Sequence, residues 1–412
     1  MRERAITVQL GARRQYAVPA ALASADRLEA LYTDLCAGRG IGRLSTLIGR
    51  VPPLARRLNL ERRRPPADVL ARTRVFPRWF VDMQKALRNA KDPGDRTRRL
   101  RAAQEAAARR MIRAGYGDAT HVVSMFGEAV GYLAEAKKRG LVTVTDMNIA
   151  PSTEAIVREE QARHPDWEAP KIFYGQSSAA EAGVAPAMDA VLAATDIFLC
   201  PSDFVRQDLV QNFAVSPDRV RLMPYAVNPK WFALTPAPVR GRILFAGGAE
   251  LRKGIHVLAE AARLLAEAGA DVEVQVAGSV PDAIRTRAET RHLSFLDRLD
   301  AARMAQAFAS ADVFVLPSLA EGSAGVTYEA LGSGVPVVTT FEAGSIVRDG
   351  QDGRIVPARD APALADALQQ LVEDRAMRDA MAASAREHAR AHSWAAFATR
   401  LETAIFGREG QP

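Results

Sequence analysis

The sequence has few of the residues that cross-link a chain, anchor it in a bilayer or stack on bases. Only two of its 412 residues are cysteine, Cys36 and Cys200, and their separation fits neither a disulfide framework nor a metal-binding pair. No stretch approaches the roughly 18 consecutive apolar residues that a membrane span needs. Aromatic residues make up 6% of the chain and are sparse in its most basic part, which disfavours single-stranded nucleic acid as a partner. A disulfide-stapled miniprotein is therefore excluded.

What is present is the composition of an ordinary globular protein. Hydrophobic residues account for 48% of the chain and charged residues for 25%, and the length suggests two domains. Residues 5–10 have the pattern of a strand and not of the apolar core of a secretion signal, so a cytoplasmic location is expected. The two thiols are interpreted as small buried side chains without chemistry.

Charge is distributed unevenly between the two ends of the sequence. Residues 1–115 carry 26 Lys and Arg against 10 Asp and Glu, a balance of +16, whereas the rest carries 29 against 38, a balance of −9. The basic clusters are Arg56-Arg57, Arg62–Arg64, Arg96, Arg98-Arg99, Arg101, Arg109-Arg110 and Arg113. Because apolar residues alternate with these clusters, the pattern predicts a peripheral face for an anionic membrane, and the alternative is a solvated arginine-rich surface.

Short apolar runs alternate with helical patterns, as expected for parallel strands joined by crossover helices. The predicted strands are 5–10, 121–126, 141–145, 197–202 and 220–225 in the first half, and 242–246, 272–277, 312–317, 336–340 and 354–357 in the second half. The sequence therefore predicts an α/β protein of two Rossmann-like domains whose parallel sheets face each other across a cleft.

Prolines and a glycine interrupt the pattern at 234–241, which is the predicted hinge. The predicted domains are residues 1–235, which would carry the basic surface and read the acceptor, and residues 236–392. A last helix within 393–412 is expected to return toward the first domain.

A glycine turn follows the first strand of the second domain. Gly247 and Gly248 end that strand, and Arg252 and Lys253 precede a predicted helix. Such a turn lets the backbone approach a phosphate, and the adjoining helix start adds oriented N–H donors. A basic pair at a strand-to-helix turn is otherwise solvated, so this motif alone is a weak signal.

A second constellation follows the predicted strand 312–317. Its loop holds Glu321, Gly322, Ser323 and Ala324, and the short helix behind it carries Glu329. Carboxylates at the carboxyl edge of a sheet suit sugar or ribose hydroxyls, and free amides at a helix start suit a diphosphate. Ser323 is the predicted N-cap of this helix. Either glutamate alone would be a surface charge, but two in this context predict a nucleotide-sugar site.

From about residue 196 to residue 401 the chain resembles the family 4 retaining glycosyltransferases, the group 1 glycosyltransferases of GT-B fold. The resemblance rests on Cys200-Pro-Ser-Asp-Phe204, Met223-Pro-Tyr-Ala-Val227, Phe245-Ala-Gly247 with Lys253-Gly254, the Glu321/Glu329 pair, Gly334-Val-Pro-Val-Val338, Val347-Arg-Asp-Gly-Gln-Asp-Gly353 and Ser393-Trp394. It implies that Lys253 holds the donor diphosphate, Glu321 contacts the transferred sugar and Glu329 binds the ribose hydroxyls. It also implies that neither a metal nor another cofactor is needed beyond the nucleoside-diphosphate sugar.

The chain departs from the family pattern at two positions. Gly248 stands where the family commonly has a phosphate-binding arginine, so Arg252 substitutes for it or phosphate binding is weaker. The family often has a histidine after the strand at 121–126, whereas His121 here begins that strand and is interpreted as structural.

The residues predicted to face the acceptor follow two strands of the first domain. They are Gly11, Arg13 and Arg14 after the first strand, and Asp146 and Asn148 after the strand at 141–145. For the latter two, a turn or helix cap is an equally good interpretation.

The sequence and the resemblance together lead to the hypothesis of a retaining transfer of sugar from a nucleoside diphosphate to a hydroxyl acceptor, lipid-linked or polysaccharide, with Glu321, Lys253 and Arg252 as catalytic residues. Two alternatives remain open: a noncatalytic module of the same fold that binds membrane or polyanion through its basic domain, and an epimerase-like enzyme.

Overall fold

The structure is a computed structural model that describes residues 2–40, 42, 60–168 and 185–407. The described strands are β1 Ala5–Gln9, β2 Leu28–Thr33, β3 Thr73–Val75, β4 His121–Met125, β5 Val142–Asp146, β6 Ile197–Cys200, β7 Val220–Leu222, β8 Arg242–Ala246, β9 Glu273–Ala277, β10 Leu293–Asp297, β11 Val313–Leu316, β12 Val337–Thr340 and β13 Gly353–Val356.

Helices connect these strands. They are α1 Ala17–Ser24, α2 Ala67–Ala71, α3 Pro77–Arg88, α4 Pro93–Ala114, α5 Val130–Lys138, α6 Thr153–Arg163, α7 Ala185–Ala194, α8 Asp203–Asn212, α9 Ile255–Glu267, α10 Asp282–Arg285, α11 Ala301–Ser310, α12 Gly325–Gly332, α13 Ala361–Glu373, α14 Arg375–Ala391 and α15 Trp394–Phe406.

The strands form two parallel sheets. The first has the order β3-β2-β1-β4-β5-β6-β7, and the second has the order β10-β9-β8-β11-β12-β13. Every residue of β1, β4, β11 and β12 is buried, because helices cover both faces of the central strands. The predicted α/β architecture of two Rossmann-like halves is confirmed.

The order of strands reverses between β1 and β4 in the first sheet and between β8 and β11 in the second. At such a reversal the loops diverge from the carboxyl ends of neighbouring strands and leave a crevice, where open α/β sheets bind their ligands. The fold therefore offers one crevice in each half, and the residues after β1, β4, β8 and β11 line them.

Three strands differ from the sequence prediction, because β2, β3 and β10 were not predicted. The sequence of β2, Leu28-Glu-Ala-Leu-Tyr-Thr33, is rich in good helix formers, and its pairing with β1 overrides that propensity. Strand β3 has only three residues, and β10 lies at an edge of its sheet with mostly unburied residues, so neither presents an apolar run.

The chain passes from the first sheet to the second between Leu222 and Arg242. Within the predicted hinge, Ala237 N–H donates to Ala309 O at 2.7 Å and Val239 N–H donates to Ser310 O at 3.0 Å. Part of the hinge segment is thus fixed to α11 of the second half.

The last helix, α15, packs on the first half of the molecule. Phe397, Leu401 and Ile405 are buried in a cluster with residues of β1, α1 and β2. Burying a large apolar side chain contributes about 1.5–3 kcal/mol, so these three hold the helix against the first sheet. His121 also belongs to this region, because its ring packs edge-on against Phe406 with centroids 4.7 Å apart. It therefore lies away from the crevice, as a structural side chain.

The basic clusters near residue 100 lie on α4, whereas Arg56 and Arg57 lie outside the described residues. Within the part of the chain that is described, no helix has both the length and the apolar composition needed to cross a bilayer.

Candidate active site

The turn after β8 is shaped by two glycines. Gly254 has φ 72°, and a Cβ there would overlap the carbonyl oxygen of Pro317 at the end of β11. Gly247 has φ 151°, and a Cβ there would lie 2.9 Å from Cδ of Lys253. Because both positions lack a side chain, the turn packs on the end of β11 and the Lys253 side chain crosses the backbone of Gly247.

Lys253 and Arg252 both bind Glu321. The Lys253 Nζ lies 2.5 Å from Glu321 Oε1, and Arg252 Nη1 lies 2.7 Å from Glu321 Oε2. Arg252 also pairs with Glu250 at 2.7 Å and donates to Ala320 O at 3.1 Å. The exposed fraction of these side chains is 13–18%, so the four charges form one largely buried cluster at the second crevice.

Burial opposes ionisation of Glu321, but the nearby ammonium and guanidinium outweigh it. The pKa of Glu321 is therefore below its ordinary value, and the carboxylate is ionised at neutral pH. A carboxylate between two cations can exchange partners: a diphosphate would attract the cations, and the freed carboxylate would accept hydrogen bonds from hydroxyl groups.

The loop after β11 is fixed by contacts with the loop after β12. Glu321 N–H donates to Glu342 O at 2.9 Å, and Ala324 N–H donates to Ala343 O at 3.0 Å. The predicted N-cap is wrong: Ala324 precedes α12, and the Ser323 hydroxyl donates to Gly344 O at 2.6 Å and contacts the Tyr328 hydroxyl at 2.9 Å. The hydroxyl that the local sequence pattern assigns to the N-terminus of α12 instead donates to the carbonyl oxygen of Gly344, in a different loop.

Glu329 lies on α12 and makes no contact with the Lys253–Glu321 pair among the described residues. Burial raises its pKa to about 7, and only the charge of Lys230 opposes that shift. The structure thus brings Lys253 and Glu321 together and leaves Glu329 outside that pair.

The first crevice is lined at the ends of β1, β4 and β5. Its cavity includes Gln9, Arg13, Arg14, Ser124 and Asp146. The Arg14 guanidinium forms an ion pair with Asp146 and lies over the ring of Tyr225, 4.8 Å from its centroid.

The backbone that carries Arg14 is unusual. Arg14, Gln15 and Tyr16 have φ of 45°, 53° and 63°, a left-handed conformation that costs non-glycine residues free energy. Strain of this kind collects at functional sites, where the surrounding structure holds it in place.

Arg13 and Gly11 have different partners. Arg13 lies 3.3 Å from the buried carboxylate of Glu128, whose pKa is raised by burial to about 7. The Gly11 N–H donates to Asp34 at 2.9 Å, and Asp34 also binds Arg63. Glu128 thus adjoins this wall although no motif marked it, and Arg63, predicted only as part of the basic cluster Arg62–Arg64, is paired here with a buried carboxylate.

The two halves meet at the loop after β11, residues 321–324, named here the donor loop. A Cβ on Gly322 would overlap the carbonyl of Asn148, and the Ser202 hydroxyl donates to Gly322 O at 2.5 Å. Tyr225 N–H donates to the Tyr328 hydroxyl at 3.3 Å. The two tyrosines therefore connect Arg14 to the donor loop, so the acceptor-side candidates Arg14, Asp146 and Asn148 adjoin Gly322 and Ser323 in one cleft. Tyr225 lies in the motif Met223–Val227, and that motif is the sequence signal that could have identified it as a site residue.

The two adjacent glycines of the turn have different surroundings, which gives a matched pair of variants. Gly247→Ala would strain the backbone and displace Lys253, so we expect it to lower the free energy of unfolding by about 1–2 kcal/mol. Gly248→Ala would meet only ordinary contacts, 3.5 Å from Ser279 Oγ, and we expect a change within about 0.5 kcal/mol. Thermal unfolding measures both, and equal losses in the two variants would contradict this position of Lys253.

Comparisons with known proteins agree with this geometry. Residues 240–374 match the family described as Glycosyl transferases group 1. A phosphatidyl-myo-inositol mannosyltransferase of Mycobacterium leprae is 35% identical over 205 residues, which cover 46% of this chain and 54% of the relative. A D-inositol 3-phosphate glycosyltransferase of Corynebacterium diphtheriae is 30% identical over 241 residues, which cover 52% and 56%. The chain thus spans about half the length of these curated relatives.

Solved structures share the whole architecture. Sucrose-phosphate synthase of Thermosynechococcus elongatus superposes with a TM-score of 0.63 at 17% identity over 98% of both chains. The Anabaena protein HepE, solved with UDP and glucose, superposes with a TM-score of 0.60 at 13% identity over 97% of this chain and 98% of that one. At these identities the similarity shows the fold, which is the predicted GT-B arrangement.

Proposed function

We propose that this chain, whose residues 240–374 match the family Glycosyl transferases group 1, moves a sugar from a nucleoside diphosphate to a hydroxyl acceptor. The transfer retains the configuration of the anomeric carbon. The observation that carries the proposal is the buried cluster of Lys253, Arg252 and Glu321 in a cleft shared with Arg14 and Asp146.

The cluster suits the charge that develops during transfer. When the bond from the anomeric carbon to the diphosphate oxygen breaks, negative charge grows on the diphosphate, and Lys253 and Arg252 stabilise it from fixed positions. Glu321, released from the two cations, accepts hydroxyl hydrogen bonds and orients the sugar. The acceptor oxygen bonds to the anomeric carbon on the same face, and its proton passes to the departing phosphate.

The donor loop contributes backbone. Gly322, Ser323 and Ala324 lead into α12, and the first amides of a helix have no partner within that helix. The N–H groups at the start of α12 would donate to the diphosphate, and a Cβ at Gly248 would meet only ordinary contacts, 3.5 Å from Ser279 Oγ. Glu329 would accept hydrogen bonds from the ribose.

The protonation state of Glu329 should make nucleotide binding depend on pH. The empty site favours the protonated carboxyl below about pH 7, whereas ribose hydroxyls donate to the ionised form, so nucleotide binding should release a proton. We expect UDP affinity to weaken by up to about ten-fold per pH unit below that value. Glu329→Gln should remove this part of the dependence. Calorimetry at several pH values measures it, and the same pH profile in both proteins would exclude the ribose role.

The acceptor would bind in the first half, beside Arg14 and Asp146. The two relatives are named for acceptors that carry inositol and phosphate, so phosphatidylinositol and inositol 3-phosphate are the first acceptors to test. An arginine and a carboxylate together suit such a molecule, since they can bind its phosphate and its hydroxyls respectively.

The experiment proceeds from donor to product. UDP-, GDP- and ADP-sugars are screened by thermal stabilisation, because a ligand at 100 times its Kd adds about 2.7 kcal/mol. The stabilising sugar is then incubated with each acceptor, and NMR of the product reports the anomeric configuration. Retention supports the proposal, whereas inversion overturns the mechanism. Nucleotide binding with epimerised or released sugar would favour the epimerase-like enzyme, and no nucleotide binding would favour the noncatalytic module.

We also propose that the chain lies peripherally on an anionic membrane. Arg98, Arg109 and Arg113 are exposed on α4. Arg98 and Arg109 are three helical turns apart, so they share a stripe, and Val81 on neighbouring α3 is 40% exposed. Each basic residue near an anionic surface contributes about 1 kcal/mol, so a few can hold the chain at the cytoplasmic leaflet.

Replacing these three arginines by glutamine should weaken binding to phosphatidylglycerol vesicles by about 100-fold at low salt, because each arginine contributes about 1 kcal/mol. Cosedimentation measures this binding. Replacing the exposed Arg298, Arg303 and Arg390 of the second half is the matched control and should have little effect. Binding of the parent chain should also fall at high salt. Binding that is insensitive to salt, or an equal loss in the control, would contradict the location.

A further inference from the structure

One segment of the first half extends onto the second. It comprises residues 152–168, named here the interdomain arm. At its start, Asp208 of α8 accepts from the N–H and the hydroxyl of Ser152 at 2.9 and 2.5 Å. At its end, Trp167 is 6% exposed and belongs to the core of the second half, with the Arg287 guanidinium 4.7 Å from the centre of its ring. The arm is thus fixed at its two ends to different halves.

The middle of the arm places a buried carboxylate between two elements of the second half. Glu160 is 1% exposed; its Oε1 lies 2.8 Å from His256 Nε2, and its Oε2 lies 2.5 Å from Arg359 Nε. His256 is the second residue of α9, three positions after Lys253, and Arg359 follows β13. A single carboxylate therefore connects the first half to the start of α9, the helix that follows the 3₁₀ turn Leu251–Lys253, named here the donor turn.

The cluster also resembles a metal site, because Glu160, His164 and His256 offer ligand atoms within 4.8 Å of one another. Its charges argue against that interpretation. Arg359 already occupies one carboxylate oxygen, and Arg163 lies 4.0 Å from the same oxygen. Guanidinium groups at this distance repel a metal cation.

A second contact joins the arm to the donor turn directly. The Leu251 N–H donates to Glu168 Oε2 at 3.4 Å, and Leu251 begins the 3₁₀ turn that ends at Lys253. The arm therefore contacts both the turn that carries Lys253 and the first turn of α9. Separation of the two halves would break these contacts together.

We propose that Glu160 is a positioning residue: by binding His256 across the interface, it fixes the donor turn when the two halves are closed. This inference rests on the proposed function, since it assigns to Lys253 the diphosphate that the arm would help to hold. Donor binding and domain closure are then coupled, because a diphosphate held by a fixed turn favours the closed arrangement, and closure in turn fixes the turn.

The test compares Glu160→Gln with Glu159→Gln. Glu159 is the adjacent glutamate, its side chain is 56% exposed, and it pairs with Arg163 of its own helix, so it is a matched control. Without nucleotide, hydrogen exchange of residues 251–258 should accelerate about ten-fold or more in Glu160→Gln and remain unchanged in Glu159→Gln. Exchange in β11 and β12 should be the same in all three proteins. Uniform acceleration throughout the second half would instead indicate a general loss of stability.

The substitution of His256 gives the second readout. His256→Ala should reproduce the local acceleration, and His256→Gln, whose amide can still donate to Glu160, should restore most of the protection. With UDP as the probe, Kd should rise about ten-fold in Glu160→Gln and His256→Ala, with a smaller change in kcat than in KM. Unchanged exchange at 251–258 in both variants would overturn the inference. Failure to bind any nucleotide would overturn the proposed function while leaving the exchange result intact.

Discussion

Replacing Lys253 with alanine is expected to lower the rate of sugar transfer by about 100- to 1000-fold, the usual effect of removing one preorganised donor to a developing anion. Lys253 is largely buried beside Glu321, at the carboxyl end of β8 and opposite the first crevice. In the proposed transfer its charge would act on the leaving diphosphate in a site of low dielectric, where water would not replace it.

Two controls separate this effect from a loss of folding. Lys138→Ala removes an exposed lysine of the first half and should leave the rate unchanged. Lys253→Arg keeps the charge but not its compact shape, so we expect an intermediate rate. Steady-state kinetics with the stabilising nucleotide-sugar measure all three variants, with thermal unfolding alongside. A folded Lys253→Ala protein with the parent rate would refute the assigned role.

Replacing Glu321 with alanine is expected to affect binding and catalysis in opposite directions. The change leaves Lys253 without a counter-charge and Arg252 with only Glu250, so the protein without nucleotide should lose about 3 kcal/mol of unfolding free energy. UDP would supply the missing negative charge, so the affinity for UDP should be preserved or increased. UDP binding should also restore the lost unfolding free energy. Transfer should fall by at least about 100-fold, because no carboxylate remains to orient the sugar.

Thermal unfolding with and without UDP, together with single-turnover rates, tests this expectation. Glu342→Ala is a suitable control, because the Glu342 backbone accepts from Glu321 N–H while its side chain is not part of the charge cluster. If Glu321→Ala weakened UDP binding as strongly as it lowered transfer, the carboxylate would have a structural role in the turn instead of a role toward the sugar.

Local features of the sequence sufficed to predict most of the fold. Apolar runs of four to six residues marked the central strands, because those strands are buried on both faces and carry few polar residues. Gly247 and Gly248 marked the turn before α9, and the structure shows that Gly247 and Gly254 are the positions whose backbone conformations strain other residues. The short or peripheral strands β3 and β10 lacked this signal.

The candidate site was predicted only in outline. The sequence indicated that Lys253 and Glu321 face a common ligand, but their contact spans 68 positions and depends on the parallel pairing of β8 with β11. Ser323 is the clearest error, since its hydroxyl contacts Gly344 and Tyr328 instead of capping α12. Glu128, Tyr328 and Glu160 carried no local signal of their partners.

The sequence by itself determined the two α/β halves, the glycine turn, and the types of side chain at the carboxyl ends of β8 and β11. These follow from residue periodicity and backbone sterics, which act over a few residues. Only the tertiary structure decided that Glu321 lies between two cations, that Arg14 reaches the donor loop through Tyr225, and that Glu160 binds His256. The first contact depends on the pairing of β8 with β11, and the other two depend on the packing of one half against the other. Charge interactions depend on distance and burial in the folded chain.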